Sequence, residues 1–447
     1  MIQIFGAVWL LSALLASAFS ADDIAVSYKN YKLYDVQPST RAELELLHRV
    51  SSELDLDFWS PPALDRNSSV MVSPWNDDSL KAYLSDHNVK HRVLYDDVQS
   101  VIDREHVYNQ NRARKRRSVE QTDKRASFDY FWSMDEIYQY LDYLALEYPS
   151  LVRLKDYGKS YEGRPIKVIT ISTNGEVDDF RPIVLIDGGI HAREWAGHMS
   201  VLYLIHQLVE RSAENMDLLN KTNWVIMPVV NPDGYVYTYE HNRLWRKNRA
   251  PVNMLCIGTD LNRNFPFRWK YYDSQCSSGY AGPTPGSELE TRAVMLMMAN
   301  YAKATKVYLA VHSCGDYILY PYGYDYVDAP NKVQLQELGD KAAEAIKAIG
   351  GPEYAVGSAS FLLYPANGSD DFIYGSYGVE YVYTLELSCG AMVSDGFIIS
   401  VAEMQKISKE AFEMFKVFGK FAGEQKIIPL GSNRKNNTAP YSLSDMN

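Results

Sequence analysis

The chain of 447 residues is 46% hydrophobic and 23% charged and includes 34 Tyr and 15 Phe, which is the composition of a folded protein and excludes a disordered one. One hydrophobic core stops growing near roughly 250 to 300 residues, so this length predicts two or three domains. The formal net charge of −11 argues against a nucleic-acid partner, and four Cys are too few for a disulfide-rich miniprotein.

Residues 1–20 predict a secretory signal peptide. Residues 2–19 are apolar and rich in small side chains. Ala18 and Ser20 fit the −3 and −1 positions of a cut after residue 20, and Ala16 with Ala18 allows a cut two residues earlier. A short membrane anchor is the alternative, because no Lys or Arg precedes the apolar run. No later run is apolar over the ~20 residues that a membrane span needs.

Residues 21–117 predict a small α+β domain that ends in a basic linker. Thr40 and Glu43 fit the capping-box positions at the start of a helix. A second helix is predicted at 80–84, and short strands are predicted at 31–36, 69–72 and 92–98. This part of the sequence contains no cluster of His, Cys and Asp, so we expect the domain to be structural or regulatory.

A basic run forms the end of this domain. Residues 112–117 read RARKRR, and five charges in six positions would repel one another in a packed element, so we expect a linker here. In a secreted chain such a run between two domains indicates a processing-protease site, and Lys124-Arg125 offers a second one. A solvated basic turn that is not processed is the alternative.

The remaining sequence predicts one α/β domain at 118–424 and a polar tail at 425–447. The first helix of this domain is capped by Ser133 and Glu136 and ends at Pro149. Strands are predicted at 166–171, 183–186, 225–230, 307–311 and 381–387, and a last long helix at about 401–421. Several of these strands are continuous apolar runs, which is typical of a sheet that is covered by helices on both faces.

Three common catalytic motifs are missing. The chain contains no Gly-x-Ser-x-Gly, which removes the main support for a serine hydrolase. Residues 158–160 lack the earlier glycine of a phosphate-binding loop, because residue 153 is Arg. No His is followed by Glu, which excludes a His-Glu-x-x-His zinc helix.

His191 and Glu194 follow a predicted strand directly and are candidate metal ligands. On a turn, a His and a Glu three residues apart can direct an imidazole nitrogen and a carboxylate at one point, so that Zn²⁺ needs one more protein ligand and a water. Ligands in open α/β sheets gather beyond the carboxyl ends of the strands, so His312, which follows the strand at 307–311, is a candidate third ligand. His198 on the next helix is the other candidate, unless it is simply packed.

Five sequence blocks in a fixed order carry a resemblance to a known family. They are HAREW at 191–195, NRLWRK at 242–247, DLNRNF at 260–265, His312-Ser313 with LYPYGY at 319–324, and TLEL at 384–387. Together they resemble the zinc metallocarboxypeptidases of the pancreatic A/B type, over nearly everything from about 128 to 424. The domain before the basic run resembles the activation propeptide of that family. The resemblance implies a mixed, mainly parallel sheet with helices on both faces, preceded by a small α+β domain.

The resemblance also implies a role for each site residue. One zinc ion per chain would be held by His191, Glu194 and His312, which favours His312 over His198 as the third ligand. Glu386 would be the general base, taking a proton from the attacking water and later protonating the leaving amine. Arg246 would stabilise the oxyanion. The substrate's terminal carboxylate would be held by Asn262, Arg263 and Tyr364, and the neighbouring subsite would be lined by Arg193.

The sequence departs from the family pattern next to these residues. Cys314 stands where the family usually has Tyr, and Ser388-Cys389 replaces the usual Arg-Asp pair. The pair Cys256–Cys276 resembles a disulfide of the family. We also infer a Cys314–Cys389 bridge, because both Cys follow strands that bear site residues and can therefore lie within the ~4.4–6.8 Å Cα separation of a disulfide.

The side chain of residue 370 indicates which C-terminal residue the enzyme prefers in its substrates. Phe372 resembles the family's Trp in an Asp-Trp pair, which aligns Asp371 with the family's Asp and places Asp370 at the floor of the pocket for the terminal side chain. A buried carboxylate there selects a cation, so we expect a B-like preference for C-terminal Lys or Arg. The alternative is an A-type preference for aromatic or aliphatic termini, with Asp370 turned to solvent by a shortened loop. Gly323 and Thr384 are small and fit either type.

We therefore expect a secreted, monomeric zymogen whose propeptide inhibits it until a trypsin-like or processing protease cuts after Arg117 or Arg125. Its substrates would be peptides and proteins with a free C-terminus, and neither nucleic acid nor a membrane would be a partner. A non-enzymatic binding member of the fold is the second hypothesis, although no ligand or base is missing from the sequence. An adhesion or glycan-binding ectodomain is the third.

Four N-glycosylation sequons bear on these hypotheses. Those at Asn67, Asn220 and Asn436 fit a secreted chain. The fourth, at Asn367, lies in the predicted substrate loop. A glycan there would obstruct the pocket, so we expect this sequon to be unused.

Overall fold

The computed structural model describes residues 25–119, 126–178, 180–271, 274–389 and 396–426. The proposed signal peptide, Lys124-Arg125 and nearly all of the polar tail lie outside these residues. The described residues form two separate β-sheets. The smaller sheet belongs to an N-terminal domain (described residues 25–119), and the larger one belongs to a C-terminal domain (described residues between 126 and 426).

The N-terminal domain is an antiparallel sheet packed against two helices. Its strands are β1 Lys32–Gln37, β2 Asp57–Phe58, β3 Ser68–Val72 and β4 Lys90–Tyr95, in the order β2-β3-β1-β4. The helices are α1 Arg41–Glu53 and α2 Asp77–Asp86. Leu46, Leu47 and Val50 recur on one face of α1 and pack on Tyr34 and Val36 of β1, which explains why this segment folds as an amphipathic helix.

The start of α1 differs in one detail from the predicted capping box. Thr40 is the N-cap residue, and its hydroxyl accepts from the Glu43 backbone N–H at 3.2 Å. The Glu43 carboxylate, however, accepts from the backbone N–H of Ser39 at 2.8 Å and not from that of Thr40. The bond from the carboxylate back to the backbone is thus displaced by one residue. In this position the Glu43 carboxylate also accepts from the hydroxyl groups of both Ser39 and Thr40.

The basic run 112–117 lies in the last turns of a helix, α3 Val98–Val119, and not in an irregular linker. Asn109 and Ala113, one turn apart on α3, face the C-terminal domain. Asn109 accepts from Phe131 N at 2.7 Å and donates to Phe131 O at 3.0 Å, and Ala113 is buried in the same apolar cluster as Phe131. Arg114 and Lys115 are exposed, so water screens the repulsion that argued against a packed element.

An eight-stranded mixed sheet forms the centre of the C-terminal domain. Its strands are β5 Val152–Lys159, β6 Pro165–Ile171, β7 Ile183–Gly188, β8 Asn223–Met227, β9 Thr305–Ser313, β10 Tyr317–Tyr320, β11 Ala355–Ser358 and β12 Tyr381–Leu387. The order is β11-β10-β12-β9-β7-β8-β6-β5. The four central strands β12, β9, β7 and β8 are parallel, whereas antiparallel pairs join β10 to β12, β6 to β8 and β5 to β6. The predicted fold class is confirmed.

Helices cover both faces of this sheet. They are α4 Met134–Glu147, α5 Trp195–Val209, α6 Met216–Leu219, α7 Pro232–Glu240, α8 Leu289–Tyr301, α9 Lys332–Ala348, α10 Ala359–Leu362, α11 Ser369–Tyr377 and α12 Val401–Glu424. The apolar cluster on one face draws on α4, α5, α9 and α12, and the cluster on the other face draws on α8 and α11. Within the described residues, no helix is long and apolar enough to cross a bilayer.

The register of the parallel strands brings the candidate site residues to one edge of the sheet. In the pairing of β9 with β12, Glu386 lies directly opposite His312. Strand β7 is the other neighbour of β9, and it ends three residues before His191. Gly189 in the connecting turn has a φ of +65°, and a Cβ atom there would lie 2.5 Å from His198 Nε2, so only glycine fits.

Both predicted disulfides are present. Cys256 pairs with Cys276, and Cys314 pairs with Cys389. The Cα separation is 4.8 Å in each pair, which is inside the range that a disulfide allows.

The capping box of α4 generates a stability prediction. Ser133 accepts from the Glu136 N–H, and the Glu136 carboxylate accepts from the Ser133 N–H at 2.7 Å. The substitution Ser133→Ala should lower the free energy of unfolding of the C-terminal domain by about 1 kcal/mol, because one backbone N–H loses its partner. Urea unfolding of both proteins measures this. Ser133→Thr, which keeps the hydroxyl, is the control, and an unchanged midpoint for the Ala variant would contradict the prediction.

Candidate active site

His191, Glu194 and His312 converge on one point, as a metal site requires. Their nearest ligand atoms all lie within 4.8 Å of one another, and all three residues are buried. His191 Nδ1 lies 2.8 Å from Glu194 Oε1, and His312 Nδ1 lies 3.0 Å from His191 Nδ1 and 3.1 Å from Glu194 Oε2. Two imidazole nitrogens and one carboxylate are the donor set of a catalytic zinc site, so the residues present fit Zn²⁺.

Asp260 orients this cluster from behind. His191 Nε2 donates to Asp260 Oδ1 at 3.1 Å, which leaves the Nδ1 lone pair free for a metal. Arg246 Nε and Nη2 each donate to Asp260 Oδ2 at 3.1 Å. Burial alone would raise the pKa of Asp260, but Arg246 and His191 hold that pKa well below its usual value. One ionised carboxylate therefore fixes both a metal ligand and the arginine beside it.

Arg246 points at the ligand cluster. Its Nη1 lies 3.5 Å from Glu194 Oε1. Burial would lower the pKa of Arg246, yet the carboxylates of Asp260 and Glu194 raise it above its ordinary value. The guanidinium is therefore a fixed positive charge at the edge of the candidate metal site.

His198, the rival third ligand, is a packed residue. Its Nδ1 lies 2.9 Å from the backbone oxygen of Glu194, and its ring stacks on Tyr235 with centroids 4.5 Å apart. Burial lowers the pKa of His198 to about 4, so the ring is neutral. The prediction of His312 as the third member of the cluster is confirmed.

Glu386 lies in the cleft beside the ligand cluster. It follows from the register that its neighbour on β9 is His312. Burial raises the pKa of Glu386 to about 7; the neighbouring His312 lowers it and the carboxylate of Glu194 raises it. A carboxyl group with a pKa near neutrality can both take and return a proton at physiological pH.

Asn262 and Arg263 line the same cleft, and Tyr364 lies at its rim. Asn262 Oδ1 accepts from Ser369 N at 2.9 Å, so the amide group is held with its NH₂ end available. Arg263 donates to the backbone oxygen of Asn262 at 3.0 Å and to that of Asn367 at 3.4 Å. Tyr364 is 41% exposed, which is consistent with a side chain on the rim.

Asp370 and Asp371 are neighbours in sequence but have different surroundings. Both oxygens of Asp371 accept backbone N–H groups, from Gly323 at 2.8 Å and from Tyr324 at 2.7 Å. Asp370 lines the cleft, is 6% exposed, and accepts from Asp371 N at 2.9 Å and from the Thr384 hydroxyl. Burial raises the pKa of Asp370.

The N-terminal domain forms one wall of the cleft. The cleft holds about 420 Å³, and the N-terminal residues that line it are His48, Ser51, Leu56, Asp57, Phe58, Trp59, Pro61 and Pro62. Arg193 donates from Nη1 and Nη2 to the two carboxylate oxygens of Asp57, at 2.7 and 2.9 Å. The His48 ring meets the Tyr364 ring edge-on, with centroids 5.9 Å apart.

Two further contacts hold the N-terminal domain in this position. Trp59, which is 2% exposed, packs against Phe397 with ring centroids 5.7 Å apart. Glu105 of α3 forms a buried ion pair with Arg243, with distances of 2.5 and 3.1 Å. Polar and apolar contacts therefore both close the cleft on this side.

Sequence reasoning assigned no role to Asp260 or to Asp57. Asp260 stands two residues before Asn262, inside a block that carried the resemblance, so its place in that block was a usable signal. Asp57 had no such signal, because its partner Arg193 is 136 residues away in the chain.

Comparisons with known proteins agree with this geometry. The zinc carboxypeptidase family model matches residues 137–414, and the carboxypeptidase activation peptide model matches residues 34–105. Carboxypeptidase B of Helicoverpa zea is 35% identical over 429 residues, which cover 93% of this chain and 98% of the relative. Carboxypeptidase B of Astacus astacus is 41% identical over 294 residues, which cover 64% of this chain and 95% of the relative.

A solved structure extends the similarity to the fold. Carboxypeptidase A from Helicoverpa armigera superposes with a TM-score of 0.82 at 33% identity, covering 89% of this chain and 98% of that chain. The two domains, the metal-ligand cluster and these matches lead to one conclusion. The chain belongs to the zinc carboxypeptidase family and is the zymogen of a metallocarboxypeptidase, with the activation peptide as its N-terminal domain.

Proposed function

We propose that this zymogen is secreted and that its processed form is B-like, releasing C-terminal Lys or Arg from peptides and proteins. The observation that carries the specificity is Asp370, a carboxylate that lines the cleft and is 6% exposed. No Lys or Arg forms a salt bridge with it in the part of the chain that the structure describes. A cationic side chain of the substrate would supply the missing counter-charge.

Two further observations support a B-like preference. The burial of Asp370 disfavours the alternative in which the shortened loop turns this side chain to solvent. The relatives from Helicoverpa zea and Astacus astacus are both named carboxypeptidase B. The similar solved structure is named carboxypeptidase A, so the side chain at the pocket floor, and not the names, carries the proposal.

The proposed mechanism uses the residues around the ligand cluster. His191, Glu194 and His312 would hold zinc, which when bound polarises the scissile carbonyl and lowers the pKa of a water. Glu386 takes the proton of the attacking water and returns it to the leaving amine. Arg246, held by Asp260, stabilises the negative charge that develops on the carbonyl oxygen.

Substrate binding falls to the other side chains of the cleft. Arg263 offers a planar guanidinium to the terminal carboxylate, with Asn262 and Tyr364 as further donors. Arg193 lines the neighbouring subsite, and in the zymogen Asp57 occupies its guanidinium. An exopeptidase must bind a free terminus, and this group of donors beside the ligand cluster supplies that binding.

We place the activating cut after Arg117, at the end of α3, or after Arg125, outside the described residues. A trypsin-like or processing protease fits either basic site.

The two disulfides and the apolar first 20 residues support secretion. Asn67 and Asn220 are exposed and can accept a glycan, whereas Asn367 is 1% exposed and cannot. Asn436 lies outside the described residues. We expect a monomer.

The first prediction tests the general base. Glu386→Gln should lower kcat by about 10²- to 10⁴-fold, because the amide cannot accept the proton. Bound zinc should remain nearly stoichiometric, since Glu386 is not a member of the ligand cluster. Hydrolysis of a blocked dipeptide and metal analysis measure the two effects. Glu380→Gln, an exposed position next to the same strand, is the control. Full activity of the Glu386 variant would show that another group is the base.

The second prediction concerns specificity. The processed enzyme should have a higher kcat/KM for peptides ending in Arg than for the same peptides ending in Phe. Asp370→Asn should lower kcat/KM for Arg by about 10- to 100-fold, the scale of a hydrogen bond to a charged group. Asp325→Asn, which is exposed, should leave both values unchanged. A Phe preference in the natural protein, unaltered by the Asp370 variant, would refute the B-like proposal.

The third prediction concerns latency. The uncut chain should hydrolyse peptides much more slowly than the processed chain, because the N-terminal domain covers the cleft. Asp57→Asn should raise the activity of the uncut chain, since the doubly hydrogen-bonded ion pair with Arg193 becomes a weaker neutral contact. Asp55→Asn, in the same domain but exposed, is the control. Equal rates for the uncut and processed natural proteins would show that the zymogen is not latent.

A further inference from the structure

The Cys314–Cys389 disulfide lies directly beyond two residues of the reaction. Cys314 follows His312 by two residues, and Cys389 follows Glu386 by three. The last register pair of β9 and β12 is Ser313 with Leu387. The disulfide is therefore the next link between the two strands, at the point where each of them leaves the sheet.

This bridge is part of the cleft and not of the remote core. Cys314 lines the same cleft as Arg193, Glu386 and Phe397. Phe397 stacks under the Arg193 guanidinium, whose central carbon lies 4.2 Å from the ring centroid. Cys314 and Phe397 therefore both lie on the side of the cleft where Arg193 is held.

The N-terminal domain covers both halves of the bridge. The backbone oxygen of Trp59 lies 3.4 Å from Cys314 Sγ. Cys389 faces a separate cavity of about 300 Å³, which Pro61, Asp65 and Arg66 close from the other side. Each of the two cysteines is only 2% exposed in the zymogen.

The N-terminal domain also holds the segment that follows Cys314. The Arg66 guanidinium donates to Gly315 O at 3.4 Å and lies over the Tyr317 ring, 4.4 Å from its centroid. In the zymogen, this contact adds to the holds within the C-terminal domain, which are the disulfide, the strand pairing, the bond from Gly315 N to Leu387 O at 2.9 Å and the bond from Ser313 N to Glu194 Oε2 at 3.1 Å. In the processed enzyme only the contacts within the C-terminal domain remain.

We propose that the Cys314–Cys389 disulfide is a positioning element of the active site, which holds His312 and Glu386 in place once the N-terminal domain has gone. The inference rests on the proposed role of Glu386 for its effect on turnover, but its effect on the metal site stands apart from that role. Opening the bridge removes a covalent link between the two strand ends. The side chains of the ligand cluster and of the adjoining cleft are then held less firmly in position. Because the N-terminal domain holds the same segment, the effect should be large in the processed enzyme and small in the zymogen.

The test compares two double variants. C314S/C389S removes this bridge, and C256S/C276S removes the other disulfide, whose Cys276 is exposed on the surface. Zinc loss to an excess of chelator is measured for both variants before and after processing, together with kcat and KM. In processed C314S/C389S we expect zinc loss at least fivefold faster and kcat at least fivefold lower than in the natural enzyme. The uncut form should lose zinc at the natural rate within twofold.

Three results would overturn the proposal. The first is a rate of zinc loss and a kcat in processed C314S/C389S that equal those of the natural enzyme. The second is an equal change in C256S/C276S, which would mean that any lost disulfide loosens the domain. The third concerns zinc alone. If kcat falls but zinc loss does not change, the bridge does not position the metal ligands and the proposal is also wrong. Accelerated zinc loss in an enzyme that also tolerates Glu386→Gln would retain the bridge's role and reject that of Glu386.

A second experiment leaves the sequence unchanged and covers the case in which C314S/C389S fails to fold. A water-soluble phosphine reduces one disulfide to two thiols and is itself oxidised to the phosphine oxide, with the oxygen taken from water. Unlike a dithiol, it does not bind zinc strongly, and added zinc controls for metal loss. Alkylation and peptide mass analysis should find Cys314 and Cys389 labelled at least fivefold faster in the processed enzyme than in the zymogen. Zinc loss and kcat are then measured for the reduced processed enzyme without added zinc. Natural values of both, or equal labelling rates in the two forms, would overturn the proposal.

Discussion

The parallel register of β9 with β12 is the constraint on which the rest of the site depends. It places His312 directly opposite Glu386 at the carboxyl edge of the sheet. Strand β7, on the other side of β9, delivers His191 and Glu194 to the same edge through a turn that needs glycine at position 189. A shift of this register by one residue would turn one of the two side chains to the opposite face of the sheet and separate Glu386 from His312.

Asp260 extends that constraint to the charged groups around the ligands. It is a single buried carboxylate that accepts from His191, from Arg246 and from the backbone of Asn262. The orientation of His191, the position of Arg246 and the start of the turn at Asn262 are therefore coupled. A buried charge is tolerated here because every neighbour that faces it is a donor.

Charge pairs join the N-terminal domain to the C-terminal domain at and beside the cleft. Arg193, which lines the cleft, is held by Asp57 of the N-terminal domain, and Arg243 beside it is held by Glu105. Acidic residues of the N-terminal domain thus pair with arginines of the C-terminal domain. Removal of the N-terminal domain would take the carboxylate partner from each guanidinium group, while Arg243 keeps its bonds to Arg193 O and Phe397 O.

The sequence predicted the order of the two domains, the fold class, both disulfide pairings and the three residues that the structure gathers into a possible metal site, partly from local patterns such as apolar strand runs and a capping box and partly from the resemblance that its motifs carry. It did not reveal strand β5, which is half exposed, or strands β10 and β11, which are only four residues long, nor the helical state of the basic run, which depends on packing of Asn109 and Ala113 against Phe131. Only the tertiary structure decided that His198 is packed, that Asp260 links His191 to Arg246, and that Asp57 covers Arg193. The stacking of His198 on Tyr235 and the contacts of Asp260 and Asp57 join residues on different parts of the fold, the last pair 136 positions apart in the chain, and such pairings follow from how the elements pack and not from any local pattern.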